Sequence, residues 1–170
     1  MAHSGKPKMC DPKVAAIRSN IHNNQLEIAK TTLEAFGIDA EDGESRTALI
    51  NATIENNPDF IRWLMENGAN INHRDRIGYS ALHFAAQNNS FDLLRLLLES
   101  GANPNLQDAH GNIPLWTAIF NSKLAVSDSV KLLLKYKSNY SLPNNHGKTP
   151  KSMFEIFYKR PIEEIDPNNN

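Results

Sequence analysis

A pattern that restarts every 33 residues is the feature of this sequence that most restricts its fold. The clearest copy begins at Asp75, and the next begins at Asp108, 33 residues later. Residues that recur at the same interval include Gly78 with Gly111, Leu82 with Leu115, and Ala85 with Ala118. A fixed period of this size indicates an array of similar units, in which each unit buries its apolar face against its neighbours.

Each unit contains two short segments whose apolar residues follow helical spacing. In the copy that begins at Asp75, this spacing predicts a first helix over 81–88 and a second helix over 91–100. Gly78 precedes the first helix, where glycine permits a positive backbone angle in the turn. Ala85 is small enough to let neighbouring helices approach closely. The sequence therefore predicts an all-α fold, a solenoid of paired antiparallel helices joined by short turns.

The most regular copy also carries a recognisable motif. Residues 80–85 read Ser-Ala-Leu-His-Phe-Ala and resemble the Thr-Pro-Leu-His-x-Ala signature of the ankyrin repeat, a family with the same period. The resemblance covers about residues 13 to 158. It implies an ankyrin-repeat solenoid of stacked helix-turn-helix units, with β-turn fingers that lie beside the first helix of each unit and form a groove with those helices.

The resemblance divides the chain into three regions. Residues 1–12 are expected to form a flexible N-terminal arm, residues 13–160 the repeat domain, and residues 161–170 a polar, solvated C-terminal tail. The domain comprises a cap over 13–40 and repeats over 42–74, 75–107, 108–143 and 144–160. Gly111 and Gly147 are 36 residues apart, so the third repeat has a three-residue insertion, expected within 122–128. Ser45 stands where the other repeats have the turn glycine, which predicts a different turn there.

Composition excludes several classes of protein. The formal net charge is −1, which gives no overall basic bias toward nucleic acid or membrane surfaces. No apolar run approaches the ~20 residues of a membrane span, and residues 1–10 lack the apolar core of a signal peptide. Cys10 is the one cysteine, so an intrachain disulfide framework is excluded. A cytoplasmic protein is expected, with no nucleic-acid or membrane partner.

Catalytic and metal-binding chemistry finds little support. His83 has an intrinsic pKa suited to a general base, but its position in the repeat motif predicts a structural histidine that binds backbone groups. His73, His110 and His146 lie near successive turns without the cysteine and histidine spacing of a zinc site. No phosphate-binding loop or nucleophile elbow is present. We therefore expect no catalytic residue, no metal and no cofactor, and a protein that is not an enzyme.

The resemblance implies that a partner contacts finger tips and exposed positions of the first helices. Tyr79 and Arg76 are of types enriched at the energetic centre of interfaces, whereas Trp116 occupies the motif position of His83 and is assigned to packing. The candidate protein-binding residues are Glu41, Glu44, Arg46 and Glu55 in the first repeat, Arg74, Arg76, Ile77, Tyr79, Gln87 and Asn88 in the second, and Gln107, His110, Asn112, Phe120 and Asn121 in the third.

The function that the resemblance implies is non-catalytic binding of one protein partner by a chain that is monomeric when free. Two short strings, 111–118 and 145–150, further resemble small bacterial ankyrin proteins, which often look like immunity proteins of interbacterial toxin systems. The narrower expectation is therefore an immunity protein that binds and neutralises a cognate toxin. The alternative is an ankyrin effector or adaptor that binds a host or cellular regulatory protein, and the sequence leaves both open.

Overall fold

A computed structural model describes residues 10–122 and 125–169 of the chain. Its helices form a stack of antiparallel pairs, and no β-strand occurs in these two ranges. The helices are α1 Pro12–Ala15, α2 Ile17–His22, α3 Leu26–Phe36, α4 Ala48–Ile54, α5 Pro58–Glu66, α6 Ala81–Gln87, α7 Phe91–Glu99, α8 Pro114–Asn121, α9 Asp128–Lys135 and α10 Pro150–Tyr158, with a 3₁₀ helix over Ile162–Ile165. The predicted all-helical solenoid is confirmed.

The first helices of the four repeats, α4, α6, α8 and α10, pack side by side and are called the inner helices here. The outer helices α5, α7 and α9 each pack on the inner helix that precedes them. Leu82 and Leu97, from the inner and outer helix of the second repeat, are both fully buried. Ala85 and Ala118 are also buried where neighbouring inner helices meet, so the core is continuous along the stack.

Local sequence signals explain where the helices begin and end. Before α5, the Asn57 side chain accepts a hydrogen bond from the backbone N–H of Phe60. Pro58 occupies the first helical position, where an N–H group would have no acceptor within the helix, so proline loses no hydrogen bond there. After α6, Asn89 adopts the left-handed conformation with φ 51°. Lys137 does the same after α9, with φ 62°, at the position that glycine fills in the earlier repeats.

A short turn, called a finger here, precedes each inner helix, over 42–46, 75–79, 108–112 and 144–148. In the second finger, Asp75 Oδ1 accepts hydrogen bonds from the backbone N–H groups of Ile77 and Tyr79, at 3.0 and 2.8 Å. The same pair of bonds reaches Asp42, Asp108 and Asn144 in the other fingers. Each finger is therefore closed by the side chain of its own first residue.

The turn at Ser45 differs from the sequence-based expectation. Ser45 has φ 55°, in the same left-handed region as Gly78 at 81° and Gly111 at 79°. Asp42 holds the turn in place, because its Oδ1 still accepts from the N–H groups of Glu44 and Arg46. The hydrogen bonds of the aspartate therefore preserve the turn without a glycine.

The C-terminal segment also differs from the predicted solvated tail. Ile162 is fully buried, Lys151 forms an ion pair with Glu163, and the Asn168 side-chain amide donates to the backbone carbonyl of Leu134 at 2.7 Å. The fourth repeat lacks an outer helix, so the apolar face of α10 would be left exposed to water. The 3₁₀ helix and the residues after it cover that face.

Two other predictions concern regions that the structure covers in part. Residues 1–9 of the predicted N-terminal arm lie outside the described residues, and α1 begins directly after Asp11, whose side chain accepts from the N–H of Lys13. The connection between α8 and α9, 122–127, is three residues longer than the connection between α6 and α7, 88–90. Its residues 123–124 also lie outside the described part of the chain.

Candidate protein-binding surface

Backbone hydrogen bonds join each finger to the next and set their spacing. The N–H of Arg76 donates to the carbonyl of Glu44 at 3.0 Å, and the N–H of Ala109 donates to that of Ile77 at 2.9 Å. The N–H of Asn145 reaches the carbonyl of His110 at 2.9 Å. The four fingers therefore form one continuous edge beside the inner helices. We call the tips of the fingers and the exposed side of the inner helices the finger face.

The candidate residues differ in exposure and form two groups. The exposed group comprises Arg74, Arg76, Ile77, Gln87, Asn88, His110, Phe120 and Asn121. The partly buried group comprises Glu41, Glu44, Arg46, Glu55, Tyr79, Gln107 and Asn112.

Several members of the partly buried group also hold the repeats together. Arg46 Nε lies 3.4 Å from Asp75 Oδ2, and its guanidinium lies over the ring of Phe84. The Gln107 amide donates to the carbonyls of Gly111 and Pro143. Side chains held in this way by neighbouring fingers help to build the surface, whatever contact they make with a partner.

Charged residues at the finger tips bind groups of the neighbouring repeat. Arg76 Nη2 lies 2.7 Å from Glu44 Oε2, and Arg74 Nη1 donates to the backbone carbonyl of Gln107 at 3.1 Å. The side chains of Glu44 and Arg76 are each about half exposed, at 47% and 46%. Exposed ion pairs of this kind contribute about 0–1 kcal/mol, so a partner can exchange them for contacts of its own at little cost.

Glu55 belongs to a different contact. Its carboxylate accepts from Arg18 Nε and lies against His22 Nδ1, both at 2.7 Å, which ties the first repeat to the cap. Burial raises the pKa of Glu55, but the hydrogen bonds and positive charges of Arg18 and His22 outweigh burial, and the pKa is lowered overall. The ionised carboxylate therefore stabilises the junction between cap and first repeat.

Aromatic side chains form the central part of the finger face. The Tyr79 ring stacks on His83, with ring centroids 5.0 Å apart, and meets Phe84 edge-on at 5.3 Å. Tyr79 also lines a cavity of about 270 Å³ together with Trp116 and Phe120. The sequence-based assignment of Trp116 to packing is therefore incomplete, because this partly buried ring also faces the surface cavity.

Exposed apolar side chains continue along the face. Ile77, Phe120 and Ile156 are 49%, 50% and 61% exposed. Ile156 follows Phe120 by 36 residues, the interval that also separates Gly111 from Gly147, so both occupy the same position on adjacent inner helices. Sequence reasoning missed Ile156, although that interval was a signal that could have identified it.

His83 has the structural role that its motif position predicts. Its Nδ1 accepts from the backbone N–H of Ser80, and its Nε2 donates to the carbonyl of Asn112 in the next repeat, at 3.2 and 3.1 Å. Burial lowers the pKa of His83, although the Asn112 hydrogen bond and the charge of Asp108 oppose that effect. The neutral ring therefore links two repeats. Within the described ranges, no three His, Cys, Asp or Glu side chains are grouped to hold a metal ion.

Comparison with known proteins agrees with this architecture. The sequence model of a family described as "Ankyrin repeats (3 copies)" matches residues 14–108, more than half of the chain, and this match includes α2 and α3 of the cap. No curated protein matches the chain. In the part of the chain that the structure describes, no helix has the length and apolar character needed to cross a membrane. Because the family match covers more than half of its length, the chain belongs to the ankyrin-repeat family, whose repeats are protein–protein interaction modules.

Proposed function

We propose that this protein is a non-catalytic module that holds one protein partner along the finger face. The observation that carries this proposal is a set of exposed apolar side chains: Phe120 and Ile156 at equivalent positions of adjacent inner helices, and Ile77 in the second finger. Phe120 also lines the aromatic cavity of Tyr79. None of the three is needed to fill the core of the array. Apolar side chains grouped on a surface and bordered by polar residues are typical of an interaction site.

The surroundings of these apolar side chains suit a protein partner. Glu44 and Arg76 pair at one end of the face, and His110 and Asn121 present polar groups near its middle. An apolar centre bordered by weakly paired charges is the usual arrangement of a binding surface, in which the centre supplies most of the affinity and the border supplies orientation.

We further propose that the partner is a toxin, which this protein neutralises by covering the surface that the toxin needs. The support is the resemblance of residues 111–118 and 145–150 to small bacterial ankyrin proteins of the immunity type. A protein in this role is expected to act in the cytoplasm as a monomer before it meets its toxin. In the alternative role, as an effector or adaptor, the same face binds a host or cellular regulatory protein.

Affinity capture from the native cell, followed by co-expression of the captured partner, tests both levels of the proposal. An immunity protein restores the growth of cells that express its partner, and Phe120→Ala with Ile156→Ala should abolish that protection. Glu66→Lys on the outer helix α5 is the control and should leave protection intact. A captured partner that does not harm cells favours the adaptor role. Protection that survives the double substitution would contradict the assignment of the finger face.

A further inference from the structure

The cavity between the second and third repeats has the chemistry of a site for a cationic side chain. Its walls include the rings of Tyr79, Trp116 and Phe120, with Gln87 and Asn121 also among its lining residues. At about 270 Å³, it lies just below the usual size range of small-molecule pockets. It therefore suits a single side chain of a protein better than a cofactor.

The aromatic walls and amide groups match a guanidinium in particular. Aromatic faces attract cations, and arginine adds stacking of its flat group on the ring. Asn121 Nδ2 donates to the backbone carbonyl of Gln87 at 3.0 Å. In the described ranges of the chain, Asn121 Oδ1 and the side-chain amide of Gln87 have no hydrogen-bond partner of their own. Both amides can therefore accept hydrogen bonds from an incoming guanidinium.

Two buried aspartates contribute negative charge close to the cavity. Asp75 and Asp108 lie at the bases of the fingers that flank it and are 6% and 7% exposed. Burial raises the pKa of the Tyr79 hydroxyl, and the charges of Asp108 and Asp75 raise it further, while the Thr117 hydroxyl acts in the opposite direction. The field of both carboxylates therefore reaches the cavity wall.

The positive side chains nearby leave this field only partly compensated. Arg46 pairs with Asp75 at 3.4 Å, Arg76 pairs with Glu44, and Arg74 donates to a backbone carbonyl. Asp108 forms no ion pair with any residue in the described part of the chain. Its Oδ1 accepts only the backbone N–H groups of His110 and Asn112, both at 2.8 Å.

We propose that this cavity receives an arginine side chain of the protein partner. The inference rests on the proposed function and adds the chemistry of the anchor: the partner presents a guanidinium, which stacks between Trp116 and Phe120 and binds the rim amides. The negative charges of Asp75 and Asp108 favour a cation over a neutral or acidic side chain at this place.

The test uses a blocked Gly-Arg-Gly peptide and its citrulline counterpart, which has the same shape without the charge. Binding is followed by the ¹H–¹⁵N signals of the full chain. The Trp116 indole should shift with the arginine peptide at a Kd of about 1 mM and respond about fivefold more weakly to citrulline. Trp63, on the outer helix α5 and stacked on Phe60, is the internal control and should not shift.

Asp108→Asn tests the electrostatic part without removing the finger. Asn144 accepts the same pair of backbone hydrogen bonds in the fourth finger, at 2.9 and 3.0 Å, so asparagine fits this position. The variant should fold and bind the arginine peptide about fivefold more weakly. Glu99→Gln, which makes the same change of net charge on the outer helix α7, should bind like the parent protein.

Equal responses to both peptides, an unchanged Trp116 signal up to about 10 mM, or wild-type affinity in Asp108→Asn would each overturn the inference. The proposed function fails by a different observation. If Phe120→Ala weakens binding of the captured partner while the arginine peptide leaves the Trp116 signal unchanged, the assignment of the binding face is supported and the arginine anchor is wrong. If Phe120→Ala leaves partner binding unchanged, the binding face itself is wrong.

Discussion

At the residue scale, Gly78 shows how closely the fingers stack. Its φ of 81° favours glycine, and a Cβ atom placed there would lie 2.8 Å from the backbone nitrogen of Ala109. Gly147 has a comparable φ of 69°, but a Cβ atom there would have no heavy atom within 4 Å. The two glycines therefore separate the cost of backbone strain from the cost of a clash between fingers.

We predict that Gly78→Ala destabilises the protein more than Gly147→Ala. The left-handed conformation costs about 1–2 kcal/mol for a residue with a Cβ atom, and both variants incur that cost. In Gly78→Ala alone, the new Cβ atom also collides with the backbone of the third finger, which must move away from the second finger. Urea unfolding of both variants measures the difference, and equal losses would show that the second and third fingers do not stack as closely as described.

His83 makes stability depend on pH in a defined direction. Because burial lowers the pKa of His83 in the folded state, the unfolded chain binds a proton first as pH falls below about 6.5. The neutral ring therefore makes its full contribution to the free energy of unfolding above that pH. This contribution is lost as pH decreases from the pKa of the unfolded state to the lower pKa of the folded state.

The urea concentration at the unfolding midpoint should accordingly be lower at pH 5.5 than at pH 7.5. His83→Gln should make this difference smaller, while lowering stability at both pH values. His146→Gln, at an exposed finger tip, is the matched control. A His83→Gln variant with the same pH dependence as the parent protein would contradict the buried, neutral histidine.

At the scale of elements, the sequence predicted the helices better than the contacts between repeats. Apolar spacing identified the segments that form α6 and α7, because helix pairs in a stack repeat the same buried positions. The pairing of Glu44 with Arg76 joins residues 32 positions apart and depends on finger stacking, which no local pattern records. The burial of Ile162 was also missed, because the segment after α10 has no periodicity to identify it.

The C-terminal segment should be part of the folded unit. We predict that Ile162→Ala lowers the free energy of unfolding by about 2–5 kcal/mol, the range for truncation of a large aliphatic side chain in a packed core. Ile156→Ala removes the same atoms from a side chain that is 61% exposed, and should change stability by less than about 0.5 kcal/mol. Thermal unfolding of both variants measures the difference. Equal midpoints would show that the C-terminal segment is a solvated tail and not part of the folded unit.

At the scale of the whole molecule, the array acts as a rigid support for a surface that its own core does not use. Each repeat buries its leucines against the next, and the fingers are joined edge to edge by backbone hydrogen bonds. Such a stack positions Tyr79, Phe120 and Ile156 before a partner arrives, which lowers the entropic cost of binding. Affinity for the partner should therefore depend on the finger face and be insensitive to changes on the outer helices.

The most direct test of that claim is calorimetric titration of the captured partner against folded variants of both faces. Phe120→Ala and Tyr79→Ala should each weaken binding by about 30-fold, as expected for anchors at the centre of an interface. Glu66→Lys and Glu99→Lys, on the outer helices, should leave the affinity unchanged. If the outer-helix variants lose binding while Phe120→Ala and Tyr79→Ala retain it, the partner occupies the opposite side and the assignment of the finger face is wrong.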